Sequence, residues 1–473
     1  MAPLRSSTLF ALLGLCRLAC AAPTLASSSS ADSLSSAVSS SIAASSSIVA
    51  TSSLEASPSS AAPEPSATVP FASTNPNFPL WAPESPPSMP VPERGSLGAS
   101  IMGPSNPPLE LQNPAMLAPP TSDNGEVGNP KWSFSLSANR IQTGGWARQQ
   151  NTKVMPIAQN LAAVDMRLEA GAIRELHWHD TSEWAYVLKG TAQVTSIDTE
   201  GRNFRGNVGP GDLWFFPAGL PHSLQATNDD PDGCEFLLIF PDGNFSEDDT
   251  FLLTDWLAHV PAEVIQKNFQ LNSSKPFSHI PAKPLYIFPW TAPDTAEPVS
   301  DPNGQVPQSF TYAFSNVTAT PLAGGSVKVV DSRTFPISTT ISAAEVTVEP
   351  NALRELHWHP TMDEWGFILE GQARITLFAS QSNAKTFNYQ AGDIAYIPAS
   401  FGHYVENTGN TTLKFLEVFN TNIYRDVSLA QWLSVTPPEL LKAHLDLDDE
   451  TIAHLNKTKA TVVAPLIVDE HPL

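Results

Sequence analysis

The chain of 473 residues carries only three cysteines, and two of them, Cys16 and Cys20, lie in an apolar leader. With that leader removed Cys234 stands alone, so no intrachain disulfide is expected and the fold must rest on its hydrophobic cores. Cys234 precedes the apolar stretch Phe236–Phe240, which suits a buried, inert thiol better than a nucleophile. Positive charge is also scarce, with 25 lysines and arginines against 47 acidic residues and a net charge of −22. That balance argues against nucleic acid or anionic membrane surfaces as partners, and it leaves any anionic ligand to be captured by local cations in a pocket. Long apolar runs are missing too. The leader run from about Thr8 to Cys20 falls short of the roughly 20 residues a spanning helix needs, and Val462–Val468 is brief and followed by Asp469 and Glu470. No membrane association is expected.

What is present points to export. Residues 1–21 place Arg5 before the apolar run, interrupt that run with Arg17, and end on the small-residue site Ala19-Cys20-Ala21, the pattern of a signal peptide. Sequons at Asn244, Asn272, Asn316, Asn410 and Asn456 fit a glycosylated, secreted, extracellular protein of eukaryotic, fungal type. Residues 22–120 are rich in Ser, Ala and Pro with few charges, which predicts disorder. From Trp132 the texture becomes short strand-like runs, such as Ala163–Glu169, Glu183–Leu188, Ala192–Ile197 and Leu213–Phe216, separated by Gly, Pro and Asp turns. Thr254–Leu257 and Glu263–Asn268 predict short helices, mirrored by Leu429–Leu433 and Glu439–His444, and a Pro-rich connector spans roughly 275–305. The expected domains are 121–300 and 301–473.

The same metal-binding pattern is written in both halves. His177-x-His179-x3-Glu183 with His222 returns as His357-x-His359-x4-Glu364 with His403, each set between turn glycines and prolines. Gly144-Gly145, Pro156-Ile157 and Arg174-Glu-Leu-His-Trp-His recur at an offset of 180, as in His177 and His357, so two barrels made by duplication are expected. Residues i and i+2 of a strand share a face, so His-Trp-His aims both imidazoles inward while a hairpin can bring the Glu alongside. A lone His-x-His is usually an exposed strand pair. Here six of the 11 histidines fall on the eight repeated positions, which coincidence explains poorly. Three neutral nitrogens and one carboxylate oxygen suit manganese or iron better than a thiolate-loving metal. Trp178 and Trp358, on the opposite parity, read as packing residues. The same alternation would turn Arg174 and Arg354 outward.

At these motifs the chain resembles the bicupin oxalate decarboxylases, a likeness covering about 130 to 460. It includes Trp132-Ser-Phe, Gly144-Gly-Trp-Ala-Arg148, both Arg-Glu-Leu-His-Trp-His strings, Thr254-Asp-Trp-Leu257 and Phe387-Asn-Tyr-Gln390. The resemblance implies an all-β chain of two tandem cupin barrels, of double-stranded β-helix or jelly-roll type, with short flanking helices. It further implies two manganese ions per chain, dioxygen as co-catalyst, conversion of oxalate to formate and carbon dioxide, and a homo-oligomer. Arg174 and Arg354 would then line the pockets and hold oxalate, which a bulge at the start of each strand would reconcile with their parity. Asn351 and Ser400 stand where the pattern has glycine, and Asn tolerates a positive φ.

The repeats differ between Phe240 and Trp256, a span of sixteen positions against thirteen from Phe419 to Trp432. The extra residues fall in Ser246-Glu-Asp-Asp-Thr250, which is similar to the mobile lid of the decarboxylases, whose Glu, here Glu247, supplies a proton. Glu417, where the first copy has Leu238, would serve the second site as a subsidiary acid/base or structural partner. A bicupin oxalate oxidase making hydrogen peroxide would share all eight ligands, but the retained Glu247 speaks against it. A storage or binding bicupin without catalysis usually lacks ligands. Because the Asn244 sequon overlaps the lid, a glycan there would burden its closure. Glycopeptide mass spectrometry should find lower occupancy at Asn244 than at Asn410 or Asn456, and near-complete occupancy in fully active protein would refute this steric argument.

Overall fold

The computed structural model describes residues 122–465, so the leader, the whole Ser/Ala/Pro-rich segment 22–120 and the last eight residues lie outside it. Among the described residues no helix is long and apolar enough to cross a membrane. Each half forms one seven-stranded and one six-stranded antiparallel sheet. The strands expected from the sequence appear at Ala162–Leu168, Glu183–Lys189, Ala192–Ile197 and Leu213–Phe216. The short helices follow each barrel at Leu253–Ala258 and Ala262–Asn268, and at Leu429–Val435 and Pro438–Leu445.

Three clusters of buried side chains hold these sheets together. Val164, Met166, Trp214 and Phe236 fill the first barrel, and Val346, Ile368, Ile375 and Phe415 fill the second. A third cluster joins the halves, packing Leu161, Trp184 and Phe215 with Phe335, Trp365 and Tyr396. This explains why Glu183–Lys189 reads as a nearly continuous apolar run. Ala185 and Val187 face the barrel interior while Trp184 and Tyr186 face the neighbouring half, so both faces are buried. Hydrogen bonds cross this interface: Trp365 Nε1 donates to Gln150 Oε1 at 2.9 Å and the Tyr186 hydroxyl donates to Glu345 Oε2 at 2.8 Å.

The halves also exchange strands. Lys131–Ser133, from the first half of the sequence, pairs with Asp393–Ile397 at the edge of the second barrel's seven-stranded sheet. Thr311–Tyr312, from the second half, pairs with Leu213–Phe216 at the matching edge of the first. A boundary at 300/301 therefore does not separate the barrels in space. Unpaired edge backbone explains the trade, since each borrowed strand satisfies carbonyl and amide groups that an open edge would expose.

The turn positions fit their backbones. Asn351 has φ 62° and Ser400 φ 69°, close to the 79° and 77° of Gly171 and Gly219 in the first copy, so neither departure alters the local path. Gly171 cannot follow suit, because a Cβ there would lie 2.3 Å from the Trp290 carbonyl of the connector. Cys234 is buried and its thiol is pushed up to about 12 by burial, which makes it inert.

One carboxyl pair, Asp165 buried and Glu235 half-buried, gives the fold a pH dependence. Asp165 binds Arg148 at 2.7 Å and is a diagonal cross-strand neighbour of Glu235. Burial, reinforced by the Asp165 charge, pushes the Glu235 carboxyl up to about 8 from an ordinary 4.5. The folded chain then holds this proton more tightly than the unfolded one, so the pair's contribution is complete below about 4.5 and is lost as pH rises through about 8. Glu235→Gln should therefore lose melting temperature less steeply than the parent between those limits, measured by thermal denaturation across pH. Parallel curves would contradict the assignment.

Candidate metal centres

The first centre is built where the two sheets of the first barrel meet. His177 and His222 are directly opposite partners on adjacent strands, Ile173–Trp178 and His222–Ala226, of the six-stranded sheet. His179 lies just past the first of these, and Glu183 opens the strand Glu183–Lys189 in the other sheet. The Glu thus arrives by a turn that crosses between sheets, not by the hairpin that the spacing suggested. The short loop 179–182 leaves one sheet before a hairpin can form. One ligand atom from each of the four residues lies within 4.8 Å of the others, and all four are buried.

Their hydrogen bonds aim the free atoms inward. Nδ1 of His177 donates to the Glu175 carbonyl at 2.6 Å and Nδ1 of His222 to the Leu220 carbonyl at 2.9 Å, leaving Nε2 as the lone-pair nitrogen. Trp214 Nε1 donates to Glu183 Oε1 at 2.8 Å, which leaves Oε2 for a metal. Nε2 of His179 and of His222 lie 3.3 and 3.5 Å from that oxygen, and none of the three atoms has a protein hydrogen-bond partner. Burial, helped by Arg174 and the other imidazoles, holds His177 well below its ordinary range and therefore neutral. Burial works to raise Glu183, yet the surrounding imidazoles bring it below the usual carboxylate range. Orphaned buried polar atoms are costly, and a divalent cation is the partner that this donor set fits.

Arg174 faces this centre despite its parity. Arg174 sits opposite Leu224 and His177 opposite His222, so three steps on one strand match two on the other. That bulge turns Arg174 inward, where it is 1% exposed. Its Nη2 donates to Glu247 Oε2 at 2.9 Å, while Nε and Nη1 are buried without a protein partner. Glu247 lies in a short 3-10 turn, Glu247–Asp249, and also accepts from the Tyr286 hydroxyl at 2.8 Å. This turn is braced by Gln149 Oε1, which accepts from the Glu247 amide at 2.9 Å, and Thr250 Oγ1 lies 3.4 Å from His179 Nδ1.

The second centre repeats the ligands and changes their surroundings. His357 and His403 are partners across strands, and Nε2 of His359 and His403 lie 3.0 and 3.1 Å from Glu364 Oε2. The same bulge turns Arg354 inward. Here, however, every guanidinium nitrogen is engaged. Nε donates to Glu417 Oε1 at 3.1 Å, Nη2 to Asp426 Oδ2 at 2.7 Å and the Tyr424 hydroxyl at 3.0 Å, and Nη1 to the Thr461 carbonyl at 3.4 Å. Both arginines thus line their pockets, but Arg354 has every nitrogen committed to protein groups while Arg174 keeps two without a protein partner. Burial raises the Glu417 carboxyl, opposed by Arg354.

Comparison with known proteins agrees with this architecture. The Cupin family pattern matches twice, over residues 135–276 and 315–453. The chain is 50% identical over 377 residues to oxalate decarboxylase OxdC of Bacillus subtilis (strain 168), a match covering 79% of this chain and 97% of that protein. It belongs to the bicupin oxalate decarboxylases. A probable oxalate decarboxylase of Arthroderma benhamiae is 38% identical over 385 residues, covering 80% of this chain and 94% of that one. A solved structure of the Bacillus subtilis enzyme at pH 4.6 superposes with a TM-score of 0.76 at 50% identity, covering 80% of this chain and 98% of that one. A second structure, from work on the Mn(II) centres of that enzyme, gives the same TM-score of 0.76 at 49% identity, covering 80% of this bicupin and 99% of that chain.

Two residues that shape the site, Tyr286 and Glu175, are not marked by the ligand spacing. Tyr286 comes from the Pro-rich connector, where no periodicity singles it out. Glu175 is the Glu of the first Arg-Glu-Leu-His-Trp-His string. Its carboxylate accepts from the Thr254 amide at 2.8 Å and the Tyr286 amide at 2.6 Å, pinning the segments around the site. Glu355 does the same for Ser428 and Thr461, and that repetition was the available signal. Since the two ligand sets are separate, His179→Ala and His359→Ala should each lower bound metal by about one ion per chain. Elemental analysis of protein made with ample manganese checks this, and zinc alone or no metal at either centre would contradict it.

Proposed function

We infer that the protein converts oxalate to formate and carbon dioxide at the first-repeat centre, with manganese at both ligand sets and dioxygen as co-catalyst. The observation that carries this reading is Arg174, whose buried Nε and Nη1 have no protein partner and lie beside a complete ligand set under a lid bearing Glu247. Paired donors on a rigid fork match a carboxylate, and oxalate offers one carboxylate to the arginine while the other reaches the His177, His179, Glu183 and His222 set. Manganese bound there, with dioxygen, would supply the one-electron chemistry that weakens the carbon–carbon bond. Arg174 holds the substrate in place and offsets its charge. Glu247 then delivers the proton that makes formate. Its Oε2 is engaged by Arg174 and Tyr286, so the buried and unpartnered Oε1 is the atom available to carry that proton. The lid around it excludes water until formate has formed.

Glu417 has its Oε1 on Arg354 and reads as a subsidiary acid/base or structural partner of the second centre. The apolar leader and the sequons support secretion. Exposed apolar side chains at matching places in both repeats, Leu176 with Trp256 and Leu356 with Trp432, support assembly with further copies of the chain.

A positioned general acid contributes about 10²- to 10⁴-fold. Glu247→Gln should cut formate production by roughly two orders of magnitude or more, keep its metal, and raise the share of peroxide as the unprotonated product of carbon dioxide loss is oxidised instead. Formate at the parent rate from metal-replete Glu247→Gln would overturn the assignment and move attention to the second centre and Glu417.

A further inference from the structure

The lid carrying Glu247 is gripped from inside by Arg174 and from outside by a weaker contact. Against its outer side lies a cavity of about 400 Å³ whose lining includes Arg140, Arg148, Glu247, Asp248 and Tyr286. Two guanidiniums at one mouth are notable in a chain with only 25 lysines and arginines and a net charge of −22. Arg148 is buried and committed to Asp165 at 2.7 Å. Arg140 is different. Its side chain is 37% exposed, and its Nη1 lies 3.3 Å from Asp248 Oδ1 on the lid. Its guanidinium also sits 3.6 Å from the centre of the Tyr286 ring, whose hydroxyl donates to Glu247 Oε2. One side chain therefore touches the lid, the ring that grips Glu247, and the open cavity.

We propose that this cavity is a reception site for small carboxylates and that Arg140 is its positioning residue, releasing the lid when an arriving carboxylate takes it from Asp248. The strength of the contact suits such an exchange. An exposed ion pair is worth little, so a ligand at modest concentration can displace it, whereas a buried pair such as Arg174 with Glu247 would resist. A single contact at 3.3 Å also leaves the arginine fork free to form the shorter, two-bonded arrangement that a carboxylate prefers. Asp248 and Glu247 on the same wall disfavour large polyanions, which selects short mono- and dicarboxylates. Oxalate on its way in and formate on its way out both qualify. This inference rests on the decarboxylase reading above.

The test compares metal-replete parent, Arg140→Gln, Arg140→Lys and Asp248→Asn enzymes. Arg140→Gln should lower kcat/KM for oxalate roughly 2- to 10-fold and flatten its dependence on salt, with kcat and metal content near the parent. Arg140→Lys should recover part of the loss, and Asp248→Asn should not raise KM, because Arg140 has lost its competitor. Hydrogen exchange at the lid amides of residues 246–250 gives a readout free of turnover. Added formate should speed exchange in the parent and leave Arg140→Gln unchanged. Unaltered kcat/KM and salt dependence in Arg140→Gln would overturn the proposal, as would equal acceleration by formate in that variant. A KM raised as much by Asp248→Asn as by Arg140→Gln would also overturn it, showing a lid brace only. A parent that makes no formate from oxalate would sink the decarboxylase reading, while the exchange experiment would still decide the role of Arg140.

Discussion

Everything around each centre follows from holding three imidazole nitrogens and one carboxylate oxygen together, buried and turned away from protein partners. Such a group is expensive on its own, because buried polar atoms such as Nε2 of His179 and His222 and Oε2 of Glu183 are removed from water without a hydrogen-bond partner. A cation returns that cost only if the ligands are already in place. The chain secures this with backbone. Carbonyls of Glu175, Leu220, Glu355 and Phe401 receive the Nδ1 protons, and those carbonyls belong to the same strands or their adjoining turns. Because neither partner can rotate away, tautomer and ring direction are built in as the sheet forms.

The strand bulge extends this control to the arginines. Regular alternation would put them on the outer face, and one extra residue brings each into the pocket beside its imidazoles. The two copies then use the same guanidinium in different ways. Arg354 is closed off by Glu417, Asp426 and Tyr424, with Lys459 bracing Asp426, so its charge serves the fold. Arg174 meets a single carboxylate and keeps two nitrogens unengaged. Duplication thus preserved the ligand geometry while local charge placement separated the centres.

The ligand sets were legible because each depends on residue types that strands at fixed spacing must present, and because the pattern occurs twice. Strand bounds were legible for a related reason, as turn residues bracket each run. The inward turn of Arg174 was not, since periodicity assigns faces only while pairing stays regular. Tyr286 and the partner strands Lys131–Ser133 and Thr311–Tyr312 were hidden for another reason. Their roles arise from contacts between segments far apart in sequence, and nothing local distinguishes a strand that joins its own sheet from one that joins its neighbour's. Nor did composition reveal that Arg354 would be saturated, because Glu417 and Asp426 come from separate strands and loops.

The reciprocal loan of edge strands bears on how such a chain could arise. A single barrel with the same extended arm would have an edge that its own arm does not fill, and the natural taker of that arm would be a second, identical molecule. Two molecules doing this for one another form an arm-exchanged dimer with an isologous interface. Joining the two coding segments end to end turns that dimer into one chain without altering a single strand contact. The connector over Gly171 then becomes the seam of the fusion, and the two barrels become free to diverge because they are no longer required to be identical.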